Sequence, residues 1–279
     1  MITAKIIADS VSMEGIRLTT FELEYPRFIH SEFMTHRVFS RNAASSRAIP
    51  VAKMHEMIET EPAMPVHWGK NQPGMQAHEE LEGVIKQGAI DTWKEAAKES
   101  VRWAKVMADI GVHKQIVNRI TEPFTNIKTV VTSTEWANFF NLRYHADAQP
   151  EIFELAKMMR HAIDVSIPTA MVAGDWHLPY DPGTGFTLDQ RKMISASCCA
   201  QVSYRKNDDT LEKAQSIYNR LIHSQPCHAS PVEHQATPIS LWAKTGRGWE
   251  NGITHQDRHR QLWSNNFRGW VQNRAMLGI

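Results

Sequence analysis

Residues 35–50, THRVFSRNAASSRAIP, crowd three arginines, four hydroxyls, a histidine and an amide into sixteen positions before a proline stops the run. A nucleotide phosphate is held by charge-assisted donors set close together, and guanidinium, hydroxyl and backbone N–H groups are suited to it. His36, Arg37, Ser40, Asn42, Ser45, Ser46 and Arg47 can supply them if a helix ends near Arg37 and a tight loop follows. Ala43 and Ala44 are small enough to let a planar ring approach the backbone. The plainer reading is a solvated helix end and loop. A serine hydrolase is disfavoured, because G-x-S-x-G is absent and no aspartate is patterned to orient His36.

Two more clusters carry chemistry. In CHASPVEHQATP (227–238), Cys227, His228 and His234 could be read as zinc ligands, but their spacing matches no strong zinc signature and packing is the better reading. No metal is expected. In NRITEPF and WANFFNLRYHADAQPEI, Arg119 and Arg143 sit among apolar neighbours, where an unpaired guanidinium is costly. Each needs an anionic ligand or a carboxylate, and Glu122 or Glu151 could serve. The basic run DRHR (257–260) is diluted by Asp257 and Glu250 and reads as a solvated loop.

The elements that must position these groups can be traced along the chain. RLTTFELEY (17–25) alternates Phe21, Leu23 and Tyr25 with Glu22 and Glu24, the period of a half-buried strand. Pro26 opens a helix expected to run through RFIHSEFMTHR. Residues 77–110 read as one long helix with Leu81, Ile85, Ile90, Trp93, Ala97, Val101 and Ala104 near one stripe, ended by Gly111. IKTVVT reads as a strand, and TSTEWANFFNLR and QPEIFELAKMMRHAI as two helices broken at YHADAQ. Two more helices are expected at 187–203 and 210–222, the second opened by a capping box of Asp209 and Glu212. A polar tail rich in Arg, His and Trp begins at 243. Without a βαβ rhythm the class is α+β, as a single domain over 1–279. Within it, 1–60 carries the first motif, 77–165 is helical, 187–240 holds the second motif, and 243–279 has no assigned role.

Composition narrows the function. The chain has 279 residues, 42% hydrophobic, with 31 basic against 30 acidic residues and a net charge of +1. A protein that lives by neutralising nucleic-acid phosphates carries a basic excess, so that class is disfavoured. No window approaches a membrane-spanning length of apolar residues. The first residues make a poor signal peptide, and three cysteines without a C-x-x-C pair read as reduced cytosolic thiols. A cytoplasmic protein is expected.

Taken jointly, the three clusters resemble the flavin-dependent thymidylate synthases, whose signature is R-H-R-x-x-S-x-N-E-x-S-x-R-Y. THRVFSRNAASSRA matches its histidine, second arginine, both serines, asparagine and last arginine. NFFNLRYHADAQPEI is similar to the family's N-x-x-x-L-R…A-Q-x-E-I junction, and CAQVSYRKND with HASPVEHQ resembles its A-R-V-S and H-x-S/T-P-F-E-H elements. The order differs: in most members the SPFEH element precedes R-H-R, so this chain resembles a circular permutation, which a fold tolerates when its ends are neighbours. Thr35 stands for the first arginine of the signature, Ala43 for its glutamate and Ala48 for its tyrosine, and Glu32 takes a position where glutamine is usual. Arg41, inserted in the motif, is placed to offset the missing charge.

The resemblance implies a single antiparallel sheet with long helices, and the conversion of dUMP to dTMP with FAD, methylenetetrahydrofolate and NADPH. It implies that Ser45, Ser46, Arg47 and Arg119 grip the nucleotide phosphate and that Glu32 is part of the nucleotide site. It also implies that Arg143 meets the pyrimidine and stabilises developing negative charge. His36, Arg37, Asn42 and Asn138 would line the flavin, with Ser230 and Glu233 touching it from the later element. Small-molecule nucleotide and folate substrates, a homotetramer, and neither nucleic acid nor membrane as partner follow. The alternative on the same scaffold is another C5-modifying enzyme of pyrimidine deoxynucleotides, a hydroxymethylase or one acting on dCMP. A distant alternative is a nucleic-acid binder built on FRGWVQNR, whose rings and arginines could stack on bases and grip phosphates.

Overall fold

Strand β2 (Arg17–Pro26) is the axis of the molecule, and its alternation decides which way it faces. Phe21, Leu23 and Tyr25 are fully buried, whereas Glu22 and Glu24 point to the opposite face. β2 pairs antiparallel with β1 (Thr3–Ser12) on one side and with β4 (Asn126–Ser133) on the other. The short β3 (Ser40–Ala43) adds antiparallel to β4, and β5 (Thr169–Met171) adds parallel to β1, giving the order β3-β4-β2-β1-β5. The fold is α+β. The computed structural model describes residues 2–203, 207–240 and 249–279.

Register fixes the two faces of the sheet. Phe21 opposes Val131, Leu23 opposes Thr129 and Tyr25 opposes Ile127, so these side chains share one face. Helix α1 (His30–Phe33), α5 (Ala137–Arg143) and α6 (Pro150–Val165) cover it with Phe33, Phe139, Ile152, Leu155 and Met159. Burying one such aromatic or aliphatic side chain stabilises by about 1.5–3 kcal/mol, so this face holds most of the core. The other face carries Val130, packed with Cys199 and Val202 from α7 (Leu188–Ala200) and the turn after it, and α8 (Leu211–Leu221) pairs with α7.

Outside the sheet, α2 (Val51–Thr60) packs Met54 and Ile58 against Ala97 and Val101 of α3 (Gly83–Asp109), and a short α4 (Lys114–Val117) follows. The C-terminal residues return to the body. β6 (Ala236–Pro238) pairs with β10 (Trp270–Gln272), beside a small sheet of β7 (His255–Gln256), β8 (Leu262–Ser264) and β9 (Phe267–Arg268). Trp270 is fully buried against Ile16, Leu18 and Phe267, and its indole N–H donates to Ile16 O at 3.1 Å. The tail is thus an integral part of the fold, and its polar residues line seams between elements.

Several local expectations are corrected. The stretch after Pro26 is a 3-10 turn (Arg27–Ile29) and one helical turn, not a helix to residue 37. The long helix begins at Gly83 rather than residue 77, and Ile85 is 65% exposed, leaving Ala97, Val101 and Ala104 as its buried residues. The helix expected from Thr132 starts at Ala137, because Thr132 and Ser133 belong to β4. Thr210, not Asp209, caps α8, its hydroxyl accepting from Lys213 N at 3.3 Å. Tyr204, Arg205 and Lys206 of the VSYRKND element, and residues 241–248 at the start of the tail, lie outside the described residues.

Candidate active site

The first half of the 35–50 stretch becomes a tight turn entering β3. Arg41 ties this turn together: its Nη1 donates to Met34 O at 2.9 Å and His36 O at 3.1 Å. His36 is buried in an aromatic nest, edge-on to Phe139 with centroids 4.9 Å apart and stacked on Phe39 at 5.8 Å. The Arg143 Nε donates to His36 Nε2 at 3.1 Å, and its Nη groups reach Thr35 Oγ1 at 3.3 Å and Glu32 Oε2 at 3.5 Å. That contact uses the Nε2 lone pair, so the ring is neutral. Burial, then Arg143, then Arg41 push its pKa down to about 4, which agrees with the geometry. Arg143 is therefore aimed at the 32–36 turn with long, loose contacts, while Glu151 is committed to Val66 N at 2.7 Å.

The second half is a loop locked from three sides. Asn118, fully buried, donates to Ser46 O at 2.8 Å and Ile49 O at 2.9 Å. Arg27 Nη2 donates to Ala44 O at 3.0 Å, and the Ser45 N–H donates to Ser203 Oγ at 3.0 Å. Ser46 Oγ donates to Glu122 Oε1 at 2.5 Å. Arg119 also bonds Glu122, at 3.0 Å, and Arg27 approaches the same carboxylate at 3.7 Å. Burial pulls the Arg27 pKa down, with Glu122 opposing it. Beyond the loop a cleft of about 680 Å³ opens between α2 and the sheet, lined by Ala44, Ile49, Lys53, Asn126, Lys128 and Ser203.

The structure separates the expected residues into those left for a ligand and those used by the protein. Arg37 and Arg47 are exposed and make no ion pair with another described residue. Ser230 and Asn138 are exposed, and Ser45 keeps its hydroxyl. Asn42 is spent on Cys199 O at 3.0 Å, Ser46 and Arg119 on Glu122, and Glu233 on an ion pair with Arg274. Two exposed guanidiniums without a described ion-pair partner flank β3 and are free to meet an anion, so the residues present fit a phosphate-bearing nucleotide or dinucleotide.

The 227–238 element comes to the same edge of the sheet. Ser230–His234 is a 3-10 turn packed on β3, and Gln272 Nε2 donates both to Ser40 Oγ at 3.1 Å and to Glu233 O at 2.8 Å. The residues read as metal ligands go elsewhere. His234 is fully buried with Nδ1 2.8 Å from Thr132 Oγ1, His228 is exposed and Cys227 half-buried. Thr132 continues a buried chain through Thr20 (2.7 Å) and His177 Nε2 (2.7 Å) to Ser10 (2.9 Å). Arg27, Asn118, Gln272 and Arg274 were not singled out from sequence. By residue type FRGWVQNR reads as a stacking and phosphate-gripping run, and nothing in it marks Gln272 as a bridge between two elements.

A family model, described as thymidylate synthase complementing protein, matches residues 16–169, more than half of the chain. The chain belongs to this family. A flavin-dependent thymidylate synthase of Thermosipho africanus is 28% identical over 145 residues, covering 49% of this chain and 59% of that protein. The chain thus spans less than two thirds of that relative's length. Two structures of the UMP/dUMP methylase PolB of Streptomyces cacaoi, bound with 5-Br UMP and 5-Br dUMP, share the fold at TM-score 0.50 and 17% identity. They cover 58% of this chain and 88% and 90% of theirs. The matched span runs from β2 through α6, and so includes the 35–50 loop, Arg119 and Arg143, while the Ser230–His234 turn lies beyond it. Among the described residues no helix is long and apolar enough to cross a membrane, and no three His, Cys, Asp or Glu side chains gather as a metal site.

Proposed function

We propose that this family member is a flavin-dependent enzyme that methylates C5 of dUMP to give dTMP, drawing on methylenetetrahydrofolate and NADPH. The observation that carries this reading is Arg143, which rests on the lone pair of a neutral, buried His36 and so keeps its charge for a ligand. Among the described residues Arg143 has no carboxylate closer than 3.5 Å, so a pyrimidine carbonyl can compete for its N–H groups. When bound, FAD supplies the hydride chemistry that no side chain here can supply. The chain's own residues bind and orient. Arg47 and the Ser45 hydroxyl hold the nucleotide phosphate, on a loop that Asn118 and Arg27 keep in one conformation. Arg37, His36, Asn138 and Ser230 border the flavin. Asn42, Ser46, Arg119 and Glu233 act one step back, by fixing backbone and charge. The three cysteines are free, which fits a cytoplasmic enzyme. Exposed Val84, Ile85, Trp103 and Val106 on α3 give a homotetramer apolar surface to bury.

The same geometry accommodates a second nucleotide. Glu32 is an acceptor beside the Arg143 donor, and that pair suits a cytosine edge as well as a uracil edge. Incubating the protein with dUMP or dCMP, methylenetetrahydrofolate, NADPH and FAD, and weighing the product, separates the outcomes. A gain of one methyl on dUMP supports the reading. Product from dCMP, or a hydroxymethyl gain, replaces it with the second, and no product from either nucleotide refutes both.

A further inference from the structure

The C-terminal segment, residues 262–274, touches the 36–40 segment, the residues leading into α5 and the Ser230–His234 turn. Asn266 Nδ2 donates to Val38 O at 2.8 Å and lies 3.1 Å from Ser40 Oγ, on the turn that follows His36 and Arg37. Arg268 donates to Glu135 at 2.7 Å, and its backbone N–H to Thr134 Oγ1 at 3.1 Å, at the entry to the helix carrying Asn138. Asn273 holds Gln235 through backbone (2.8 Å) and amide (2.7 Å) bonds, and Arg274 pairs with Glu233. The Asn266 and Arg268 contacts join segments more than a hundred residues apart in sequence, and the Asn273 and Arg274 contacts span about forty.

Gln272 is at the centre. It is 1% exposed, and its Nε2 faces Glu233 O at 2.8 Å, Ser40 Oγ at 3.1 Å and Asn266 Oδ1 at 3.2 Å. Its Oε1 accepts from Asn265 at 2.7 Å, and its backbone N–H donates to Ser264 Oγ at 3.0 Å. One amide nitrogen therefore bridges β3 and the Ser230–His234 turn, which no backbone ladder joins. We propose that Gln272 is a positioning residue, setting the separation between the 36–40 segment and the Ser230–His234 turn so that both meet one flavin. A buried amide that satisfies partners on two elements fixes them more narrowly than apolar packing does, because each bond is directional and costly to leave unmade.

The inference rests on the flavin reading, and one experiment distinguishes the two. FAD affinity is measured by fluorescence quenching for the wild-type chain, Gln272→Leu, Asn266→Ala and Thr210→Ala, with thermal melting and the visible circular dichroism of bound flavin. Gln272→Leu keeps the volume and removes the donors; Thr210→Ala loosens α8, away from these contacts, and serves as a control for lost stability. FAD affinity should fall tenfold or more in Gln272→Leu and severalfold in Asn266→Ala, with an altered flavin dichroism, while Thr210→Ala stays at the wild-type value. If Gln272→Leu does not fold, Asn266→Ala decides, since Asn266 is only half-buried. Wild-type chain that ignores FAD overturns the flavin reading and this inference together. Wild-type binding with unchanged affinity in both variants, or a loss matched by Thr210→Ala, overturns the inference alone.

Discussion

His177 and His234 offer a direct perturbation of the fold, because both rings are fully buried, held neutral by that burial, and joined by one hydrogen-bond chain across the sheet. Burial pushes each pKa down to about 3, from an ordinary value near 6.5. A depressed histidine pKa means that the unfolded chain takes up the proton first. The associated stability is therefore complete above about pH 6.5 and is lost as the pH falls from there toward 3. Between pH 7 and pH 5 each ring should cost about 2 kcal/mol, and the two together about 4 kcal/mol. Against a typical total of roughly 5–15 kcal/mol, that is a large share. His30 and His36, both lowered to about 4 chiefly by burial, act in the same direction. Guanidinium unfolding curves at pH 7, 6 and 5 read the effect, and the slope near pH 5 should report uptake of about two protons or more. The double variant His177→Gln/His234→Gln should flatten that slope by about two protons. Stability that is level from pH 7 to pH 5, or an identical slope in the double variant, would refute the assignment of neutral buried rings.

Three further outcomes are expected. Arg143→Ala should melt within a few degrees of the wild type and lose about a hundredfold in turnover, and Arg143→Lys should recover only part, having charge without the planar fork; thermal melting beside steady-state rates tests both. Glu122→Ala should destabilise by about 2–3 kcal/mol in urea, because Arg27 loses its nearest carboxylate in a poorly solvated position and Ser46 loses its acceptor. Asn118→Ala should cost about 1–3 kcal/mol by stranding Ser46 O and Ile49 O, and should also weaken dUMP binding in equilibrium dialysis, since the loop bearing Ser45 and Arg47 is no longer fixed.

Much of the sheet was legible because alternation needs no partner to be recognised: Phe21, Leu23 and Tyr25 mark one face of β2 whatever packs on it. β3 was not legible. Its four residues, Ser-Arg-Asn-Ala, have no apolar period, and it is a strand only because β4 offers a free edge. The cap of α8 was placed one residue early because Asp209 and Thr210 are both good caps by type. Asp208 decides between them by accepting from the Thr210 N–H at 3.1 Å. At the site, residue types were readable and partners were not. Asn42 looks available in the sequence and is bound to Cys199 O, 157 residues away, and nothing local to Ser46 announces Glu122.

The distance in sequence between the 35–50 stretch and the Ser230–His234 turn raises the question of what holds the later element in place. When such an element directly precedes the strand and turn it serves, chain continuity alone keeps it near. Here Ser230–His234 arrives from almost two hundred residues downstream, and side chains must do that work: His234 on Thr132 from the sheet, Gln272 from β10, Arg274 on Glu233, and Asn273 on Gln235. Three of those four tethers come from the C-terminal segment. The placement of the Ser230–His234 turn should accordingly depend on the C-terminal segment. Extending residues 272–274 into solvent would remove the donors to Glu233 O, Gln235 O and Gln235 Oε1, a cost of about 1–3 kcal/mol for each. The tail is thereby as much a part of the candidate site as the loop at 35–50.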